Sequence, residues 1–298
     1  MVRRRDRFEG LISDLAEDAA GEQDAPTDDV EAGWGDGLLL SMFRDDFAQL
    51  MPRGISTDAS RISASEGVAD IIAAGLPTHF GPLVDLPTAV GDFIHSVAYQ
   101  LLDGPVTFDV EYLRRTAAEH PVMFRFVPRW SATQPPRTRL LPPPDGAPAA
   151  VRFDLTAETR KRLDEARPVW AAADLPTNTA MRLIGAPGYD FELQRKATNQ
   201  AVLQSTWDIG WDGRGTFMDM LLDPMRIALR LRFVRLQIRT RDHLLQQLQT
   251  HLDDVGVALH ADFSLTFAGF SNESDVVAAE RSLERGDTKI SELFRLQA

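Results

Sequence analysis

The 298-residue chain contains no cysteine. That absence excludes disulfides, thiolate zinc sites and cysteine nucleophiles. Lysine is nearly missing too, with three lysines beside 29 arginines among 32 basic residues. Such a skew suits planar bidentate contacts to carboxylate or phosphate, and with the Ala, Asp and Pro usage it also fits GC-rich coding. No apolar run reaches the ~18 residues needed to span a bilayer. Arg3, Arg4, Arg5 and Arg7 are followed by Phe8, Leu11, Ile12 and Leu15 spaced among acids, not by an apolar signal core. We therefore expect no secretion and no membrane segment. Positive charge is also in deficit, at a formal net −12. This argues against coating nucleic acid by phosphate neutralisation, and leaves room for a protein that surrounds DNA without gripping it.

Motifs of catalysis are missing as well. The histidines at 79, 95, 120, 243, 251 and 260 show no HExxH spacing, and no GxSxG elbow occurs. His243 and His251 stand two helical turns apart, too far to share one metal unaided. Asp109 with Glu111, and Asp253 with Asp254, are acid pairs of a kind common in inert proteins. No catalytic, cofactor-binding or metal-ligating residue is assigned and no cofactor is expected.

What is present is an apolar content of 44%, enough for a sizeable core, and one long helical stretch. From Asp223 and Pro224, a cap and a first helical position, Ile227, Leu231, Val234, Ile238, Leu245, Leu248, Leu252 and Val255 recur at steps of four and three to Gly256. Only Arg241 breaks this seam. Gly256 is read as a left-handed stop, giving a helix over about 224–255. Its first half carries Arg226, Arg230, Arg232, Arg235, Arg239 and Arg241 with no acid among them. At about 100° per residue, Arg226, Arg230 and Arg241 flank one side of the seam and Arg232, Arg235 and Arg239 the other. Leu229, Phe233 and Leu236 form a second apolar face. A helix apolar on two faces belongs between two layers or between subunits. The arginines are thus expected to pair with carboxylates of this chain or a neighbour, or to contact phosphate. Leu231, Val234, Ile238 and Leu245 are the expected interface seam, with Arg241 the place for a charged pair across it.

The remainder divides by texture. Residues 1–37 read as an acidic N-terminal arm with a short amphipathic helix. Residues 38–130 are helical at 38–50, 65–74 and 87–101, then switch to period 2 at Val106, Phe108, Val110 and Tyr112, and again at Val122, Phe124 and Phe126, as a hairpin. The Pro-rich stretch 131–150 is an extended connector or exposed loop. In 151–298, Val151, Phe153 and Leu155 form a strand, Thr156 caps a helix to about Arg167 before Pro168, and 191–209 is helix-compatible. The GWDGRG run at 210–215 lacks the Lys-Ser/Thr ending of a P-loop and reads as a flexible joint. Alternation from Val257 to Phe267 predicts a long strand directly after Gly256. Ser271–Ser274 caps a helix ending at Gly286, and 288–296 closes as a short helix. The fold class is α+β, helix-rich, one long helix packed with a small, mostly antiparallel sheet.

Taken in order, FIHSVAYQLLDGPVTFDVEYL, VMFRFVPRW, WDIGWDGRG, DPMRIALRLRFVRLQIRTRDHLLQQLQTHL and SNESDVVAAERSLERGDTKISEL resemble the portal proteins of tailed bacteriophages over roughly residues 87–298. The chain is short for that family. The resemblance implies a structural, non-enzymatic virion protein forming a homo-oligomeric ring at a capsid vertex. DNA would pass through without sequence specificity during packaging and ejection. It implies terminase, capsid and head-tail connector partners, and a location in the cytoplasm of a bacterial host or in the virion, with no membrane. Two other classes remain open. A helical adaptor would use the seam for one partner helix, and an enzyme with dispersed acidic residues would need a pocket of convergent carboxylates or histidines.

Overall fold

Period-2 alternation from Val106 onward places Phe108, Val110 and Tyr112 on one buried face, and the cross-strand partners Phe124 and Phe126 are buried with them. In the computed structural model these residues form an antiparallel hairpin. Strand β2 (Val106–Arg114) pairs with β3 (Val122–Pro128) in a register that sets Val110 opposite Phe126 and Tyr112 opposite Phe124. The structure describes residues 38–51, 61–68, 71–72, 86–114, 122–129, 140–173, 203–204, 206–213 and 223–286. All of them lie in one unit, Asp36–Ala298. The expected arm at 1–37, the helix at 288–296 and most of 191–209 lie outside the described residues.

The other described elements are α1 (Leu38–Ala48), β1 (Arg61–Ala64), α2 (Leu86–Leu101), β4 (Leu140–Leu141), β5 (Ala150–Phe153), α3 (Ala157–Ala173), α4 (Asp223–Leu259), β6 (Leu265–Ala268) and α5 (Glu273–Arg285). The fold is α+β, as its sequence pattern predicts, with antiparallel pairing throughout the described sheets. On its second edge β2 takes two short partners. β5 pairs along Val106 to Asp109, and β4 pairs at Tyr112 and Leu113. Residues 142–149 loop out between them, because consecutive prolines have no N–H to give to the ladder. Tyr112 O–H anchors that loop by donating to Pro148 O at 2.8 Å. The tail of the Pro-rich stretch is therefore an interrupted edge strand. β1, which the sequence pattern did not reveal, pairs with β6 in a separate two-stranded sheet.

Helix α2 spends its apolar stripe on the sheet. Phe93 packs on Phe108 at 5.2 Å, Phe153 at 5.7 Å and Phe126 at 6.3 Å between ring centroids, pairs worth about 0.5–1.5 kcal/mol each beyond area burial. Across α1, Phe43 meets Phe47, Trp211 and Phe233. Regions 38–130 and 151–298 thus feed one core, which also takes in Leu244, Leu245, Leu248, Leu252 and Val255 of α4. Arg44 closes the α1 side, donating to both carboxylate oxygens of Asp103 at 2.7 and 2.9 Å beneath the Tyr99 ring. Burial alone would raise the Asp103 pKa. The hydrogen bonds and charge of Arg44, with help from Arg167, override that and hold it below the usual range.

Three boundary readings are corrected. Helix α3 continues through Pro168 to Ala173, since one missing N–H costs less than abandoning a helix that already packs Leu163 and Ala166. Helix α4 does not stop at Gly256 but runs to Leu259, and the strand expected from Val257 begins only at Leu265. The left-handed residue is His260, φ 51°. Ala261 N–H donates to Gly256 O at 3.0 Å and His260 N–H to Val257 O at 3.4 Å, a Schellman ending. Gly256 is needed for space, because a Cβ there would lie 2.6 Å from Ala261 O. The GWDG joint is likewise a packed corner. Gly210 (φ 85°) lies against the backbone of α4, and Trp211 is buried, its indole N–H donating to Asp46 Oδ2 at 2.9 Å. Residues 214 and 215 lie outside the described part. The cap of α5 is as expected: Asn272 and Asp275 form a reciprocal capping box, and Gly286 ends the helix at φ 72°.

Candidate functional site

The middle of α4 is buried between two layers of its own chain. Leu229 and Leu236 are buried on one face, where Phe233 also packs toward the main core. On the other face Ile227, Leu231, Val234 and Ile238 close with Val276, Ala279 and Leu283 of α5 into a second, small core. The seam residues Leu231, Val234 and Ile238 are therefore covered by α5 of the same chain, and Leu245 by the main core. The same residues are not left open for a neighbour, because Val276 and its companions occupy the groove they make.

The arginines divide as the helical projection predicts. Arg232, Arg235 and Arg239 stay together along one row and, with Leu236, form one wall of a cleft of about 460 Å³. The facing wall is Glu158 and Arg162 of α3, one turn apart, and Trp207 and Asp208 close the end. Arg226 and Arg230, further toward the N-terminus, do not line it. Arg241 is 2% exposed and points to the α5 side. It donates to Ser271 O at 2.6 Å and to Asp242 Oδ1 at 2.9 Å, with Phe270 under its guanidinium. The charged pair sought for Arg241 across an interface is thus made within the chain.

Each cleft arginine is held differently. Arg235 pairs with Glu280 and lies 3.8 Å from Glu273, while Arg239 binds Glu273, its Nε at 3.0 Å. These pairs rivet α5 onto α4. Hydrogen bonding to Arg239 is the main reason the Glu273 carboxyl sits below its usual range, against a smaller opposing effect of burial. Arg239 is raised in turn, first by that bond and further by the charges of Glu273 and Glu158. Arg162 donates to Glu158 at 2.5 Å and to Asp208 O at 3.3 Å. Arg232 donates to Trp207 O at 3.1 Å and stacks over the Trp207 ring at 4.9 Å. Sequence reading missed Arg162, Glu158, Trp207 and Asp208 as site residues. The first two read as an ordinary solvated pair four residues apart, and nothing local says that α3 faces α4.

His95 sits at the edge of the buried face of α2, with Nδ1 3.1 Å from Ala48 O. Among the described residues no group of histidines and acids is placed to hold a metal ion, and no helix is long and apolar enough to cross a membrane. Comparison with family models, curated proteins and solved structures gives no match.

Proposed function

We propose that the chain is a structural, portal-like subunit that assembles into a homo-oligomeric ring for the passage and packaging of double-stranded DNA. In this reading it works with terminase, capsid and head-tail connector proteins, in the cytoplasm of a bacterial host before assembly and in the virion after it. The observation that carries the reading is α4 itself. Its 37 residues span ~55 Å at 1.5 Å per residue, and it is braced on one side by the sheet-bearing core and on the other by α5. A strut of that length, following a strand hairpin and a Gly-Trp-Asp corner, is the order of parts on which the portal resemblance rests. The net charge of −12 suits a channel that must not hold its cargo.

A seam-based helical adaptor is less well supported, because α5 would first have to leave Leu231 and Ile238. The deciding experiment is light scattering and electron imaging of the purified chain over a wide concentration range. Closed rings are the expected outcome; a strict monomer at every concentration sinks the reading.

A further inference from the structure

Among the described residues Arg232 is paired with no carboxylate. Among the same residues its guanidinium donates only to Trp207 O and stacks on the Trp207 ring, leaving most of its five N–H donors without a protein acceptor. Arg235, on the same wall, is turned to the carboxylates of Glu280 and Glu273 on α5. Arg162 and Arg239 add two more guanidiniums to the same cleft, against the carboxylates of Glu158 and Asp208. The cleft volume falls in the range of ordinary small-ligand pockets, about 300–1,000 Å³.

We propose that this cleft binds a phosphate group, with Arg232 as its principal contact and Arg162 as its second. The group is carried by a free ligand of nucleotide size or by a nucleic-acid backbone. Phosphate fits better than the acidic side chain of a protein partner for two reasons. It offers more acceptor oxygens than a carboxylate, matching planar guanidinium forks that converge from two helices. A phosphate monoester also carries nearly two negative charges, so the four guanidiniums of the lining, in excess over Glu158 and Asp208, attract it more strongly than they attract a singly charged carboxylate. Glu158 is the built-in competitor, since it holds Arg162 at 2.5 Å from inside the cleft and must release it when the anion enters. The site goes beyond the portal reading and stands without it, because phosphate binding is measurable in any assembly state.

The test is calorimetric titration of the full chain at low salt with pyrophosphate, a short DNA duplex and a polyglutamate peptide. Pyrophosphate should saturate the protein. Arg232→Ala should weaken it by about tenfold or more, the scale of a lost charge-assisted hydrogen bond, and Glu158→Gln should tighten it. The gain expected for Glu158→Gln keeps the test decisive even if loss of the Trp207 contact makes the Arg232 variant unstable. Duplex binding that pyrophosphate displaces would assign the phosphate to a nucleic acid, and pyrophosphate binding without duplex binding would assign it to a free ligand. The proposal is overturned if pyrophosphate fails to saturate by about 10 mM, or if neither substitution changes its affinity. It is also overturned if polyglutamate alone binds in an Arg232-dependent manner, which makes the cleft a dock for an acidic protein segment.

Discussion

Tyr112 joins the sheet to the proline loop through a single hydroxyl, and its burial gives it a measurable signature. With the side chain 1% exposed, the phenol pKa is pushed up to about 12 from 10.0 by burial. The folded state therefore keeps the proton over a range in which the unfolded chain releases it. The resulting stability is intact below pH 10 and declines as pH rises toward 12. Thermal melting across that window should show the decline in the native chain and a smaller one in Tyr112→Phe. At neutral pH that substitution should cost about 1 kcal/mol, the worth of the bond to Pro148 O. Gly210 is a second residue whose role is set by its surroundings. At φ 85°, a Cβ would strike Leu229 O and sit 2.5 Å from Phe233 N. Gly210→Ala should destabilise the fold by at least about 2 kcal/mol in a denaturant titration, combining left-handed strain with overpacking. Equal stability of the variant would show that the corner against α4 is loose.

At the scale of elements, α5 is a small helix held to α4 by two unlike devices. One is the apolar cluster around Val276, and the other is the set of ion pairs from Arg235 and Arg239 to Glu273 and Glu280. The Glu273 carboxyl is lowered in the fold, so its contribution is present above the unfolded glutamate range, near 4.3, and is lost as pH falls through the depressed value. Glu273 is substantially exposed, and such pairs are worth about 0–1 kcal/mol. Glu273→Gln should accordingly leave the global melt almost unchanged while speeding amide exchange within Glu273–Arg285. High salt should speed exchange in the native helix and alter the variant less. Uniform exchange in both proteins would mean that the apolar cluster alone holds α5.

For the whole molecule, the use of both faces of α4 inside one chain moves any subunit contact elsewhere. Ring closure needs a heterologous contact, in which one surface of a subunit meets a different surface of the next. The buried seam cannot be either of them without α5 leaving. If the chain assembles as proposed above, rings should form with α5 in place and should survive Glu273→Gln in the same light-scattering assay that tests the native protein.

Much of this architecture was legible in the order of residues because local periodicity reports which face of an element is buried. The hairpin at Val106 and Val122, the stripe of α2 and the two-faced character of α4 follow from spacing, as does the grouping of Arg232, Arg235 and Arg239 on one row, and the α5 caps follow from residue type. Spacing does not report what covers a face. Only the tertiary structure decided that α5 fills the seam, that Arg241 turns inward to Ser271, and that Arg162 and Trp207 meet the arginine row across a cleft. Those outcomes depend on contacts between residues tens of positions apart. The same limit explains Gly256 and Pro168. Each is a local stop signal worth roughly 1–3 kcal/mol, and the helix nevertheless continues, past Gly256 to Leu259, which packs against the main core, and past Pro168 from the buried Leu163 and Ala166, contacts that a reading of neighbours along the chain cannot weigh.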